Sequence, residues 1–237
     1  MAKRRGWNMA IKGLVFDKDG TLFHYGATWM IWCDLVLEDL SRGNPSKKAE
    51  LAEAVGFDLD NNTFLPGSLI VNASAGEING VWAALLPDFS DADVDAVAVK
   101  HLGSLPSVPV CDLKALFTGL RAQGLKLGLV TNDYEAGAYL QLKQEDIADL
   151  FDFIAGFDSG HGVKPAAGPL LAFGEAQGLA MTEIAMVGDS THDLGAGRAA
   201  KVALNIGVLT GPAAADDIAH LADVILDDIS GIPAVLV

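Results

Sequence analysis

The chain has 237 residues, of which 51% are hydrophobic and 20% are charged, and its formal net charge is −15 at pH 7. This composition predicts a globular protein with a substantial apolar core, either one large domain or a core with a smaller domain. The acidic balance argues against non-specific binding to nucleic acid or to an anionic membrane, because both are negatively charged. An anionic substrate would therefore be held by a few local cations or by a metal.

The cysteines and the N-terminal residues bear on the cellular compartment of the protein. Cys33 and Cys111 form neither a metal-ligand motif nor a disulfide framework, and their apolar neighbours predict buried free thiols. Residues 1–8 are partly basic but lack the apolar run of a signal peptide, so we expect a loose tail. No run of about 18 apolar residues is present to span a membrane. We therefore expect a cytoplasmic protein without membrane contact, as a monomer or a homodimer.

The first predicted element is a strand over residues 11–16, where a short apolar run ends at two carboxylates and a glycine. Residues 25–108 have a different character, with apolar residues at helical spacing and no convincing strand. Helices are predicted over residues 29–40, 47–55, 70–86 and 91–101. A connector with two prolines follows at residues 104–109.

From residue 113 onward, predicted helices and strands alternate. Helices are predicted over 113–123, 134–144, 165–177 and 194–200, and strands over 126–131, 151–155, 184–188, 202–206 and, at an edge, 223–226. Such alternation is typical of a doubly wound parallel sheet. We therefore predict an α/β, Rossmann-like core at residues 9–24 and 109–237, interrupted by an inserted all-helical cap at residues 25–108.

Polar side chains stand at several predicted strand ends, where ligands bind in open α/β sheets. Because the carboxyl ends of parallel strands share one edge, we expect these side chains to lie together. They are Asp17 and Asp19 after the first strand, Thr131 and Asn132 at the next, Lys164 before a helix, and Asp189 and Asp193 after a later strand. Two acids one residue apart at a strand end suit a hard divalent cation and a phosphate.

In this order, the residues resemble the motifs of the haloacid dehalogenase (HAD) superfamily. The matching runs are Asp17-Lys18-Asp19-Gly20-Thr21-Leu22, Thr131-Asn132, Lys164-Pro165, and Gly188-Asp189 with Asp193. The segment between the first two motifs is similar to the alpha-helical cap of phosphoglycolate phosphatase-like members. The resemblance implies a Mg2+-dependent phosphatase that acts on a small phosphorylated metabolite through an aspartyl-phosphate.

The resemblance also implies roles for the acids. Asp17 would be the nucleophile, since a carboxylate can carry a phosphoryl group between two steps. Asp19 would protonate the leaving alkoxide and then deprotonate the hydrolytic water. The Asp17 carboxylate, the Asp19 backbone carbonyl and Asp189 would hold Mg2+.

The remaining motif residues would bind and balance the phosphate. Thr131 and Asn132 would contact phosphoryl oxygens, and Lys164 would bind the phosphate and offset its charge. Asp193 would ligate the metal through water or orient Lys164.

Each of these residues also has a purely structural interpretation. Strand-end aspartates such as Asp17 often cap turns, and Asp193 could cap the following helix. Thr131 could be an ordinary β-branched strand residue, and Lys164 a surface lysine. Residues 195–200 match a dinucleotide fingerprint, but close packing of a helix on the sheet explains them better. The joint occurrence of the motifs favours the functional interpretation.

Several other functions remain open. A sugar phosphomutase of the β-phosphoglucomutase type uses the same core and both acids, whereas a non-catalytic phosphometabolite-binding protein would be expected to lose one of them. Asp19 argues against a haloalkanoate dehalogenase, which resembles this core without that acid. A phosphonate hydrolase would need a Schiff-base lysine from the cap, for which Lys47 and Lys48 are the candidates.

Other residues could adjust the site. Lys18 replaces an apolar residue of many family members, and we expect its side chain to point away from Asp17. His24 and Tyr25 lie at the hinge into the cap, where they could line the cavity. The histidine at 192 could touch substrate or be exposed. The cap cations, as specificity candidates or solvated surface groups, are Arg42, Lys47, Lys48 and Lys100. The tryptophans predicted for the cap core are Trp29, Trp32 and Trp82.

Overall fold

The structure is a computed structural model that describes residues 11–102 and 105–236. The loose tail predicted for residues 1–8 lies outside the described residues. Among the helices that are described, each is too short or too polar to cross a lipid bilayer.

The first half of the chain contains one strand of the main sheet and then the elements of the cap. They are β1 (Gly13–Phe16), α1 (Tyr25–Ser41), α2 (Pro45–Val55), β2 (Phe57–Asp58), β3 (Thr63–Phe64), α3 (Leu69–Asn72), α4 (Ala75–Leu85) and α5 (Asp91–Lys100). The second half alternates between helices and strands. They are α6 (Leu113–Ala122), β4 (Lys126–Val130), α7 (Glu135–Gln144), β5 (Phe153–Ala155), α8 (Gly168–Gln177), β6 (Ile184–Gly188), α9 (Thr191–Ala200), β7 (Leu204–Val208), α10 (Ala215–Ile218), β8 (Val224–Leu226) and α11 (Ile232–Val235).

The main sheet has six strands in the order β5-β4-β1-β6-β7-β8, and all of its pairings are parallel. This confirms the predicted α/β, Rossmann-like fold, including the edge position of β8. β1 lies between β4 and β6, with Phe16 in register with Leu129 and Val187. The residues that follow these three strands therefore meet at one edge of the sheet.

The sheet is buried on both faces. Leu14 and Phe16 of β1 pack into one apolar cluster with Phe117, whereas Val15 packs into another with Phe173. Burial on both faces explains why β1 is a continuous apolar run without alternation.

The cap has its own apolar core. Trp29, Trp32 and Trp82 are buried there, as predicted. The chain enters and leaves the cap side by side, since the His24 amide donates to the Val108 carbonyl at 2.9 Å. The division between core and cap at residues 25–108 stays a prediction.

The prediction that residues 25–108 contain no strand is wrong at β2 and β3, which form an antiparallel pair. α2 ends at Gly56 in the left-handed conformation, and the Asp58 carboxylate accepts hydrogen bonds from the amides of Asp60 and Asn61 to turn the chain. Only two residues pair on each side, which is too short to produce an alternating pattern in the sequence.

Three further predictions need correction. The helix predicted over 70–86 is split into α3 and α4, because Ser74 starts a new helix by capping it with Glu77. The helix predicted to begin at Pro165 begins at Gly168, and Pro169 occupies its first turn. Cys111 is half-buried, whereas Cys33 is buried as expected.

Candidate active site

Asp17 directly follows β1 and is buried at the sheet edge. Its amide donates to the carbonyl of Val187 at 2.9 Å, which extends the pairing with β6 to the aspartate itself. The chain then turns at Gly20, whose φ is 84°. A Cβ atom at this position would lie 2.6 Å from Asp189 Oδ2, so the turn depends on glycine for both its conformation and its space.

Lys164 joins two of the acids. Its Nζ atom lies 2.5 Å from Asp17 Oδ1 and 2.6 Å from Asp193 Oδ1, and all three side chains are buried. The other oxygen of Asp193 accepts hydrogen bonds from the amide and hydroxyl of Ser190, as the cap of α9. Both oxygens of Asp193 are thus used within the protein, which supports its predicted action on Lys164 over metal ligation.

Asn132 positions Lys164 through the backbone. Its side-chain oxygen accepts from the Lys164 amide at 2.9 Å, and its side-chain nitrogen donates to the Lys164 carbonyl at 3.0 Å. The role of Asn132 in substrate binding stays a prediction, since its side chain already has these two partners. Thr131 is buried beside it, lines the cavity, and accepts from the Asp133 amide at 3.1 Å.

Asp17, Asp189 and Asp193 form a compact group in which one oxygen of each lies within 4.8 Å of the others. Burial, followed by the charges of Asp193 and Asp19, raises the pKa of Asp17 to about 7, although Lys164 opposes this shift. Burial, with the charges of Asp193 and Asp17, also raises the pKa of Asp189 well above its ordinary value. Such a concentration of carboxylate oxygens fits a hard divalent cation, which would relieve their repulsion.

Asp19 is held from the opposite side by Lys18. The Lys18 Nζ atom lies 2.7 Å from Asp19 Oδ2 and 3.2 Å from Asp133 Oδ2. The same ammonium group donates to Gln141 of α7 and lies 5.2 Å from the ring centroid of Trp29 in the cap. The second oxygen of Asp19, Oδ1, is buried without a hydrogen-bond partner among the described residues.

Lys18 therefore balances local charge from a fully buried position. Burial alone would lower its pKa, but the charges of Asp19 and Asp133 outweigh burial and raise it. Sequence reasoning assigned no role to Asp133. Its position could have identified it, because Asp133 lies just after β4, two residues beyond Thr131, and side chains that follow a strand lie at the sheet edge.

A cavity of about 1000 Å³ lies between the sheet edge and the cap. Asp17, Asp19, Thr131, Lys164 and Asp189 line its core side. The hinge residues His24 and Tyr25 line the cavity, as the sequence suggested. His192, for which contact with substrate and exposure were both left open, also lines it and is half-buried.

The predicted cap cations lie elsewhere. Lys47 pairs with Glu50 at 2.6 Å, Lys48 with Asp34 and Glu38 at 2.9 Å each, Lys100 with Asp39 at 2.6 Å, and Arg42 stacks on Phe89. Their surface pairing matches the solvated alternative. The described cap residues that line the cavity also include no lysine of the kind that a phosphonate hydrolase would need.

Comparisons with known proteins identify the family of this chain. The family model described as "Haloacid dehalogenase-like hydrolase" matches residues 14–206. A phosphoglycolate phosphatase from Neisseria meningitidis is 37% identical over 212 residues, which cover 85% of this chain and 81% of the relative. The chain therefore belongs to the haloacid dehalogenase-like hydrolase family. Within that family it is a phosphatase, as its motifs predicted.

Solved structures share the fold. A HAD phosphatase from Thermococcus onnurineus has a TM-score of 0.68 at 20% identity, covering 95% of this chain and 98% of the other. A β-phosphoglucomutase from Clostridium difficile has a TM-score of 0.66 at 16% identity, and the match covers 95% of this chain and 97% of the other. At these identities the likeness shows the fold alone.

Proposed function

We propose that this protein is a Mg2+-dependent phosphomonoesterase that hydrolyses a small phosphorylated metabolite through a phosphoryl group carried on Asp17. The observation that carries the proposal is the position of Asp17, buried at the cavity floor, paired with Lys164 at 2.5 Å and grouped with Asp189. The relative from Neisseria makes phosphoglycolate the first named substrate to test.

The residues that would hold the metal are the carboxylates of Asp17 and Asp189 and the backbone carbonyl of Asp19. Mg2+ would neutralise phosphate charge and orient the ester. Asp189 is well placed for this role, because within residues 11–102 and 105–236 only the hydroxyl of Thr21 approaches it as a side-chain donor, at 3.3 Å. A divalent cation bound there would lower the pKa of Asp17 and of Asp189, which burial and the neighbouring carboxylates raise.

In the first step, a carboxylate oxygen of Asp17 attacks phosphorus. The new bond joins Asp17 to the phosphoryl group as the ester P–O bond breaks, and Asp19 gives its proton to the leaving oxygen. Lys164 and Thr131 hold the phosphoryl oxygens while their charge develops. The products of this step are the free alcohol, the aspartyl-phosphate and an ionised Asp19.

In the second step, water attacks the same phosphorus. Asp19 takes a proton from the water, the bond between phosphorus and Asp17 breaks, and inorganic phosphate leaves. Both starting carboxyl groups are thereby regenerated.

The test is phosphate release from a panel of phosphate monoesters, including phosphoglycolate and p-nitrophenyl phosphate, with Mg2+ and with EDTA. Asp17→Asn keeps the side-chain volume but removes the nucleophile, and we expect a loss of about 10⁴-fold or more. Asp146→Asn is the matched control, since Asp146 is exposed at the surface and paired with Lys114. Near-wild-type turnover by Asp17→Asn would remove Asp17 as the nucleophile.

The same panel separates the alternatives. A phosphoenzyme that forms from a sugar bisphosphate without phosphate release would indicate a phosphomutase. A folded protein that binds esters but turns none over would indicate a non-catalytic binding protein.

A further inference from the structure

The cap contributes an uncharged wall to the cavity. The described cap residues that line it include no Asp, Glu, Lys, Arg or His. Most of the larger side chains are apolar or aromatic. They include Tyr25, Trp29 and Met30 of α1, Phe64 and Leu65 of the β2–β3 hairpin region, and Ile70 of α3.

Two polar atoms of this wall differ in their use. Among the described residues, the indole Nε1 of Trp29 is buried without a hydrogen-bond partner, so it remains a neutral donor. The hydroxyl of Tyr25 donates to the Ile70 carbonyl at 2.5 Å, which turns its hydrogen away from a ligand. The ring of Tyr25 packs edge-on against Phe64, with centroids 5.8 Å apart, and lies 6.4 Å from the ring of Trp29. Together they form a continuous aromatic surface opposite the acids of the core.

The part of the chain that the structure describes provides no spare lysine or arginine at the cavity. Among the described residues that line it, Lys164 is the only lysine or arginine, and it already lies between Asp17 and Asp193. The four lysines and arginines of the described cap make their contacts outside the cavity. The two histidines that line it belong to the core side, where His24 is exposed and His192 half-buried.

These features determine which chemical groups the site can accept in the part of the substrate beyond the phosphate. A second anionic group, such as a carboxylate, would lie between an apolar wall and a row of core aspartates, where it would lose hydration without gaining a counter-charge. An aryl or alkyl group would bury apolar surface there and stack on the rings of Tyr25, Phe64 and Trp29.

We infer that the preferred substrates are phosphate monoesters of neutral, apolar or aromatic alcohols, and that phosphoglycolate is a poor substrate for this protein. This inference rests on the proposed phosphomonoesterase function and specifies its leaving group. The phosphoryl end is bound by the core, and the apolar end lies against the aromatic wall of the cap.

The experiment compares kcat/KM, in Mg2+, for benzyl phosphate, propyl phosphate and phosphoglycolate. All three release an aliphatic alcohol oxygen, so the comparison chiefly reports recognition rather than leaving-group quality. We expect benzyl phosphate to exceed phosphoglycolate by at least about tenfold, with propyl phosphate between them. Phosphoglycolate equal to or faster than benzyl phosphate would overturn the inference. Absence of phosphate release from all three and from p-nitrophenyl phosphate would instead overturn the proposed function.

A charge placed in the wall provides a second test. Leu65 lines the cavity and is 45% exposed, so Leu65→Lys can be accommodated without burying its ammonium group. We expect this variant to raise the ratio of phosphoglycolate to benzyl phosphate turnover by about tenfold. Leu65→Gln controls for polarity without charge. Leu171→Lys, at a residue 47% exposed on α8 away from the cavity, controls for net charge.

The ratio should change in Leu65→Lys and stay at the wild-type value in both controls. An unchanged ratio in Leu65→Lys, or an equal change in Leu171→Lys, would show that the cap wall does not select the leaving group.

Discussion

At the scale of single residues, two buried lysines organise the site. Lys164 lies between Asp17 and Asp193, and Lys18 lies between Asp19 and Asp133. Each ammonium group thereby holds one proposed reacting acid and one supporting acid. A buried cation between two carboxylates fixes their orientation, because removing it leaves charges that neither water nor another group can balance.

Lys18→Met tests whether this arrangement positions Asp19. We expect a loss of about 3 kcal/mol in the free energy of unfolding, since Asp19 and Asp133 would lose their buried counter-ion. Turnover of benzyl phosphate should fall more than turnover of p-nitrophenyl phosphate, because a good leaving group needs little protonation by Asp19. Steady-state kinetics on both substrates and denaturant unfolding provide the measurements.

The matched control is Lys12→Met, which removes an exposed lysine paired with Glu183 at 2.5 Å. Exposed pairs contribute little, so stability and both rates should stay near wild type. An equal loss on the two substrates in Lys18→Met would assign Lys18 a structural role alone.

At the scale of elements, similar N-caps serve different purposes. Ser90 caps α5 together with Asp93 at the surface of the cap, and Ser190 caps α9 together with Asp193. Of these two described helices, α9 is the one whose capping acid also holds the lysine of the site. The start of α9 therefore carries part of the site geometry, whereas the start of α5 stabilises only its own helix.

Ser190→Ala and Ser90→Ala separate these purposes. Each removes a capping hydroxyl, and we expect each to lower Tm by about 2–4 °C. Ser190→Ala should also lower kcat about tenfold, because Asp193 loses a hydrogen bond of 2.6 Å that fixes its orientation toward Lys164. Ser90→Ala should leave kcat unchanged. A similar fall in kcat in both variants would mean that loss of helix stability, rather than the position of Asp193, slows the reaction.

At the scale of the whole molecule, the cap and the core meet through the residues that hold the site. The carbonyl of Asn132 accepts from the Ala75 amide of the cap at 3.1 Å, while its side chain holds the Lys164 backbone. Tyr134 of the core packs in the apolar cluster of the cap, and its hydroxyl donates to Asp95 at 2.8 Å. Cap position and site geometry are therefore coupled through the end of β4.

The buried carboxyl groups of the site should make the stability of the folded protein depend on pH and on bound metal. Burial raises the pKa of Asp17 from 3.8 to about 7. Between these two pH values, Asp17 is protonated in the folded protein but ionised in the unfolded chain. The free energy of unfolding of the metal-free protein should then fall as the pH rises from about 4 to about 7. The raised pKa of Asp189 and of Asp133, caused mainly by burial, acts in the same direction.

We expect Tm in EDTA to decrease between pH 5 and pH 8, and Mg2+ to raise Tm more at pH 8 than at pH 5, because the cation replaces the protons. Carboxyl groups with a lowered pKa, such as Asp39 beside Lys100, stabilise the folded protein while they are ionised. They lose this stabilising effect only below the ordinary pH range of aspartate titration, so they do not oppose the trend between pH 5 and pH 8. Differential scanning calorimetry of the holoprotein and of the EDTA-treated protein is the measurement.

Asp17→Asn provides the control for this prediction. Its neutral amide mimics the protonated acid, so its Tm in EDTA at pH 8 should exceed that of wild type and depend less on pH. An increase in the Tm of the wild type in EDTA from pH 5 to pH 8 would contradict the expected destabilisation by ionised buried carboxyl groups.

The sequence by itself determined the parallel sheet. It also predicted the cap position and most of the proposed site, because strand ends in a parallel sheet must share one edge. Asp17, Thr131 and Asp189 could be placed together from that rule alone. Tertiary structure decided which partners each polar group has. Lys18 meets Gln141 across 123 positions of chain, and Asn132 meets Lys164 across 32. No local pattern carries such contacts, since packing of distant elements creates them. The same packing gives the cavity a cap side whose described residues are uncharged and mostly apolar.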